Sequence, residues 1–479
     1  MNFHWNLFVN LGLISITLML ATLVRARIPF FQKFLIPNSI TAGFMLLLFY
    51  NFGAPYLGMD THVLENLIYH LLAISFIAMS LRNPAGGKST GKRIYSVAIM
   101  IITSLTFQAI IGLGLTALLI VTFFPKLFPS FGLFVPLGYE LGPGQAFSIG
   151  KGWESLGIAG AGNIGLTFAA MGYLWACFGG VYLINYGIKK GWLEKRHLKK
   201  LKSIDTRSGV IARNEKKLEG ARLVTETEAI DSMSFHVGMV LFVYLLTFLF
   251  LKLITYLLSF AGPSGRELAV NLWGLSFIFA AIIALLFKKI LTTFGLGHLF
   301  DSGSLTRIVG VSVDIMVAAA IGAISLVIVI QYWIPILTVG LVAGVITTIY
   351  VLWLTSRIFD DHHFQRAIII YGGSTGTMPT GLALLRVIDP QFETPAATDY
   401  MYGSGLSFIF LIPFILAINL PVYGYVRGNP LYYWMTAGII LVYLIFVTIS
   451  IKVVTKKGSF GNLMNLWSAS YDEEEEKSA

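Results

Sequence analysis

Residues 132–155 read GLFVPLGYELGPGQAFSIGKGWES, and residues 371–389 read YGGSTGTMPTGLALLRVID. Each string is apolar at its flanks and broken in the middle: by Gly142-Pro143-Gly144-Gln145 in the first, and by the run from Gly372 to Gly381 in the second. Ten helical residues rise ~15 Å, half of a ~30 Å hydrocarbon layer. Two such arms around a broken tip, at about 132–156 and about 364–389, can enter and leave a membrane on one side as re-entrant helical hairpins. Irregular backbone survives at membrane depth only where protein buries it or a wet cavity borders it. The hairpins therefore need a surrounding bundle of ordinary spans. The competing reading is a pair of surface loops, and the apolar runs Gly132–Leu137 and Ala367–Tyr371 speak against it.

The rest of the chain supplies that bundle. Of 479 residues, 56% are hydrophobic and 12% charged, against roughly 25% charged in soluble domains. The apolar residues gather in blocks at about 5–24, 35–53, 63–82, 94–122, 158–187, 234–260, 270–290, 308–330, 333–358, 400–425 and 432–455. That is about eleven transmembrane helices, an all-α polytopic membrane protein in contact with the lipid bilayer. The first block has no basic stretch before it, and Arg25 and Arg27 follow it in place of a small-residue cleavage site. It is expected to be a span and not a cleaved signal peptide. The single cysteine, Cys177, excludes an intramolecular disulfide framework and a cysteine-cluster metal site.

The net charge of +10 reflects topology and not a nucleic-acid partner. With the N-terminus outside, 29 of the 34 Lys and Arg residues fall in cytoplasmic loops, twelve of them between Lys189 and Arg222. The positive-inside rule then places the C-terminus in the cytoplasm. The basic stretch 188–232 reads as a cytoplasmic linker with a short helix near Leu193–Leu201, and Asp472–Glu476 as a solvated acidic tail. The domain reading is a first repeat over 1–187, the linker 188–232, a second repeat over 233–425, and an extra span with the acidic tail over 426–479. Each repeat holds five spans and one hairpin. Each hairpin precedes a span that opens with a related tetrad, Gly165-Leu166-Thr167-Phe168 or Gly405-Leu406-Ser407-Phe408. Five is odd, so the second repeat lies inverted relative to the first. Inverted repeats with interrupted segments in corresponding places point to a secondary transporter with its site near the midplane.

Gly142-Pro143-Gly144-Gln145, the run Gly376-Thr377-Met378-Pro379-Thr380 and the Ile36-Pro37 lead-in to the second span resemble the bacterial sodium/glutamate symporters. The resemblance runs in order over most of the chain. It implies an elevator-type dimer in the bacterial inner membrane, with five-plus-five inverted topology and Na⁺-driven glutamate import. Tyr371-Gly372-Gly373-Ser374-Thr375 departs from that family's His/Cys-containing run, and the eleventh span and the linker are additions. A dicarboxylate or another small organic anion is the alternative cargo.

Glutamate offers two carboxylates and an ammonium, so its site needs several N–H or O–H donors and an acceptor. Half-helix N-termini at the tips supply donors and a positive dipole end. Gly144, Gln145, Ser374, Thr375, Gly376, Thr377 and Thr380 are the candidate substrate residues. Pro379 suits the first turn of a returning arm, where its missing N–H costs nothing. An acid at membrane depth is a functional candidate because burying it is costly. Asp314 is read as a Na⁺ or ammonium ligand, with pairing to Arg307 as the structural alternative. Glu140, two residues before the first tip, is read as functional or as a hairpin-stabilising hydrogen bond. Asn163, Thr167 and Ser407 add hard oxygens suited to dehydrated Na⁺.

Gly372-Gly373-Ser374-Thr375-Gly376 matches the G-x-S-x-G nucleophile pattern. None of the eight histidines follows Ser374, and His362 and His363 lie about half a membrane from the tip, so a catalytic base is missing. A passive channel also uses re-entrant loops, but two inverted hairpins in one chain favour alternating access.

Overall fold

The structure, a computed structural model, describes residues 5–34, 36–83, 91–193, 210, 220–260, 262, 265, 269, 272–389, 394–455, 460 and 462–468. Most of the 188–232 linker, including the expected helix near residues 193–201, and the acidic tail lie outside the described residues. Among the described residues the secondary structure is all helical. Eleven helices are long and apolar enough to cross a membrane, as the block pattern of the sequence requires. They are α1 (Asn6–Arg27), α2 (Asn38–Leu57), α3 (His62–Leu81), α4 (Gly91–Thr122), α6 (Ala161–Lys189), α7 (Ser232–Ser259), α8 (Ser276–Thr293), α9 (Ser302–Gly322), α10 (Leu326–Ile358), α12 (Ala396–Arg427) and α13 (Leu431–Val454). Two further helices among the described residues, α5 (Pro143–Glu154) and α11 (His363–Ile388), belong to the interrupted segments.

Packing does not follow the two halves of the sequence. The first three spans of each half, α1–α3 and α7–α9, pack chiefly on one another. A seam of small and branched residues joins them: Ala73 and Ile77 of α3, Val240 and Val243 of α7, Ala280 and Ala284 of α8. The second bundle contains α4, α6, α10, α12 and α13 together with both interrupted segments. The outer faces of α1, α7 and α13 carry exposed Leu, Phe, Ile and Val, the surface a lipid-facing helix presents.

Polar side chains pin the ends where the bundles meet. The turn from α9 to α10 leaves backbone groups that helix ends cannot satisfy. Asn163 Oδ1 accepts from Ser325 N at 2.8 Å, and Asn51 Oδ1 accepts from Leu326 N at 3.0 Å. Asp301 caps α9 by accepting from Ser304 N at 2.7 Å.

Candidate functional site

Hairpin 1 descends through a 3₁₀ turn (Pro129–Leu133) and a π turn (Pro136–Leu141), reverses at Gly142, and returns as α5. Gly142 has φ 94°, ψ −178°, backbone that only glycine adopts without strain. Pro143 then occupies the first turn of α5, where its fixed φ suits the helix. Hairpin 2 is α11 itself. Its helical backbone breaks at Gly376 (φ −147°, ψ 24°) and Thr377 (φ 75°, ψ 164°). The arms fold back on each other: a Cβ on Gly372 would lie 2.6 Å from the Cα of Gly381, nine residues on. A straight helix would hold those two residues ~13 Å apart. Pro379 falls in the first turn of the returning arm, as expected from the sequence.

The two tips meet. A Cβ on Gly142 would sit 2.5 Å from Thr377 Cγ2. Both returning arms begin at this point, so their first-turn N–H groups and positive dipole ends face it. Tyr173 of α6 lies beside Thr377, and Asp314 of α9, next to Ser39 of α2, lies near Tyr173. Arg307, the alternative partner of Asp314, instead turns its Nε to the carbonyl of Gly220 at 3.4 Å. Asp314 and Pro379 are exposed, Thr377 and Met378 half-buried, whereas Gly142 to Gln145 are buried.

The candidate substrate residues divide. Gly144 rests against Leu72 and Met316, and Gln145 Oε1 lies 4.0 Å from the Gly142 Cβ position. Gly376 packs on Ala176 and Tyr173, with the Thr380 methyl against it. These join Thr377 at the meeting point. Thr375 Oγ1 donates to Tyr371 O at 2.8 Å within its own arm. Ser374 is fully buried and turns towards Glu140. The candidate sodium residues are likewise spread out. Asn163 caps the α9–α10 turn, Thr167 Oγ1 donates to Asn163 O at 2.8 Å, and Ser407 Oγ donates to Ser404 O at 2.9 Å. Residue 322 ends α9, ~12 Å of helix beyond Asp314, so Asn163 sits at a different depth from it.

Sequence reasoning passed over Tyr173, Ser39, Ser104 and Gln108. Tyr173 and the two serines give no signal in apolar spans. Gln108 could have been found, being the only side-chain amide in α4.

Eleven apolar spans around two broken hairpins with touching tips define a polytopic membrane transporter. The match to the family described as sodium/glutamate symporter covers residues 3–394. The chain belongs to the sodium/glutamate symporter family. Comparison with curated proteins and with solved structures gave no match. The family consists of transporters and not enzymes, which removes the hydrolase reading of residues 372–376.

Proposed function

We propose that the protein imports glutamate, or a closely related acidic amino acid, together with Na⁺ by alternating access across a bacterial inner membrane. The observation that carries this reading is the contact of two independent half-helix tips, Gly142 with Thr377, at the seam between the two bundles. A substrate carboxylate there meets first-turn N–H groups from both returning arms, with Gln145, Thr377 and Thr380 adding side-chain donors. Asp314, exposed to the same seam, supplies the negative charge for a cation, either the substrate ammonium or Na⁺. Asn163, Thr167 and Ser407 offer further oxygens near the hairpins, though each already serves a local bond.

The two packing bundles suggest the division of labour. The hairpin-bearing bundle carries the substrate, and α1–α3 with α7–α9 form the wall it moves against, as in an elevator. That arrangement accords with two inverted repeats, 1–187 and 233–425, each contributing three spans to the wall. The basic loops support an outside N-terminus and a cytoplasmic C-terminus. The bare apolar face of α1 or α7 suits a second copy in a homodimer, with lipid on the remainder.

Uptake of radiolabelled glutamate into proteoliposomes tests the reading directly. An inward Na⁺ gradient should drive accumulation above equilibrium, excess unlabelled glutamate should compete, and succinate should not. Undiminished accumulation with Na⁺ fully replaced by K⁺ would reject sodium coupling, and competition by succinate alone would reassign the cargo to dicarboxylates.

A further inference from the structure

Away from the tips, the hairpin-bearing bundle encloses a second group of polar atoms that the substrate reading leaves unused. Glu140 comes from hairpin 1, Ser374 from the first arm of hairpin 2, Ser104 and Gln108 from α4, Thr347 and Tyr350 from α10. Gln108 Nε2 donates to the carbonyl of Ser374 at 2.8 Å and to Thr347 Oγ1 at 3.3 Å. A backbone carbonyl can only accept, so this bond fixes which end of the amide is nitrogen. The amide oxygen must then face the other way, and it has no hydrogen-bond partner among the described residues. Tyr350 donates its hydroxyl proton to Ser104 Oγ. That leaves the Ser104 proton for the Glu140 carboxylate beside it. The second carboxylate oxygen, Oε2, has no partner among the described residues, and neither does Ser374 Oγ next to it.

Glu140 Oε2 and Ser374 Oγ thus lie side by side, and the Gln108 amide that holds the Ser374 carbonyl leaves its own buried oxygen unpartnered. Gln108 and Ser374 are both 0% exposed. No Lys, Arg or His lies within a turn and a half of these residues on any of the segments that supply them. A buried carboxylate without a cationic partner is strongly unfavourable unless it binds a metal or a proton. One proton would satisfy one oxygen, whereas a small hard cation takes several oxygens at once.

We propose that Glu140 Oε2, Ser374 Oγ and Gln108 Oε1 bind a sodium ion, at a site separate from the tips and built entirely within the hairpin-bearing bundle. Every ligand moves with that bundle, so the site stays intact whichever way the bundle faces. It also ties hairpin 1 to hairpin 2 through one ion, holding the two tips in register for the substrate. Ser374 therefore serves the ion and not the substrate carboxylate. This inference rests on the sodium-coupled reading above.

The test is equilibrium binding of ²²Na⁺ to the purified full-length protein in lipid nanodiscs, without glutamate. Wild type should bind ²²Na⁺, Glu140→Gln should weaken it at least tenfold, and Ser374→Ala severalfold. If Glu140→Gln elutes as aggregate, Ser374→Ala decides alone, because its buried hydroxyl holds no partner whose loss would unfold the protein. Wild-type ²²Na⁺ affinity in both variants, while uptake remains Na⁺-dependent, would overturn this site and leave sodium coupling standing. Unchanged ²²Na⁺ affinity in Glu140→Gln, with uptake that no longer varies with pH, would make Glu140 a proton site and overturn the proposal. Absence of ²²Na⁺ binding in wild type, with uptake indifferent to Na⁺, would remove both readings together.

Discussion

The two hairpins share one backbone device and anchor it in opposite ways. At both tips a residue with positive φ and extended ψ precedes the returning arm: Gly142 at 94° and −178°, Thr377 at 75° and 164°. Hairpin 1 has a buried tip and a base held by partly exposed charges. Lys151 Nζ lies 3.1 Å from Glu65 Oε2 and 2.9 Å from Glu154 Oε2. Hairpin 2 has a half-exposed tip and a base held by buried charges. Arg366 is 1% exposed, bridging Asp361 at 2.9 Å and Asp399 at 2.8 Å, while Arg93 pairs with Asp361 at 2.5 Å. Residues 462–468 cover that base as well, through Trp467 against Phe364 and Asn462 and Asn465 carbonyls on Arg357. The hairpin whose tip meets open space is thus the one whose root is most firmly fixed. That is what a gate needs if its tip is to move while its foot holds.

The largest expected effect breaks that root. Arg366→Met removes the buried guanidinium that pairs with Asp399, which costs about 3–5 kcal/mol. Most of the protein should fail to reach the folded state, and Arg366→Met with Asp399→Leu should recover part of it, measured by the folded fraction after extraction. The next effect is at the crossing of the hairpin 2 arms. Gly372→Ala meets backbone that cannot swing away, with an overpacking cost of about 1–3 kcal/mol. In hairpin 1, Gly144→Ala meets only the ends of Leu72 and Met316, so its thermal stability should fall by less. Equal losses in thermal unfolding would contradict the assigned contacts.

A third comparison has opposite signs at the two tips. A β-branched residue with φ near 75° is a strained outlier, and such strain costs on the order of 1–3 kcal/mol. Thr377→Gly should therefore stabilise the protein by about 1 kcal/mol, allowing for the added freedom of glycine when unfolded, yet raise the KM for glutamate. Gly142→Ala should destabilise it. Thermal unfolding beside uptake KM separates the two quantities, and a loss of stability in both variants would mean the tips are not equivalent. The smallest effect belongs to the hairpin 1 base. Lys151 is 36% exposed, so its pairs are screened, and Lys151→Met should cost less than about 1 kcal/mol. A loss as large as that of Arg366→Met would cancel the contrast between the two roots.

The spans and hairpins were legible because hydrocarbon thickness imposes a length on every apolar run and glycine and proline interrupt it openly. All eleven spans fall where the apolar blocks lie. Depth along a helix was legible too, so Gly142, Gln145 and Thr377 could be assigned to one level. Direction around the helix was not. Ser374 and Thr377 are three residues apart in sequence, but the break at Gly376 turns one towards Glu140 and leaves the other at the tip. Nor could the sequence sort spans into bundles, since contacts between α3 and α9 join residues more than two hundred positions apart. The strain at Thr377 was hidden for a related reason: neighbouring segments impose it, and threonine itself gives no sign of it.

The π turn at Trp175–Gly179 has a consequence for the phase of α6. Before it, Gly165 faces the Ala146 carbonyl of hairpin 1; after it, Gly180 and Gly187 face Leu384 and Phe364 of hairpin 2. A π turn is one extra residue in an α-helix, and it frees a carbonyl, here that of Trp175, which accepts from the Tyr371 hydroxyl at 2.9 Å. Deleting any one residue from 175–179 would restore a regular helix of nearly the same length and apolar content. Such a deletion would keep the phase of everything beyond, whereas the same residues wound throughout as regular α-helix would turn the part beyond by ~100°, carrying both glycines off hairpin 2 while Gly165 stayed in place. The wide turn thus sets the angular offset between the contacts α6 makes with hairpin 1 and with hairpin 2, a mechanical setting invisible to composition, hydropathy or span count.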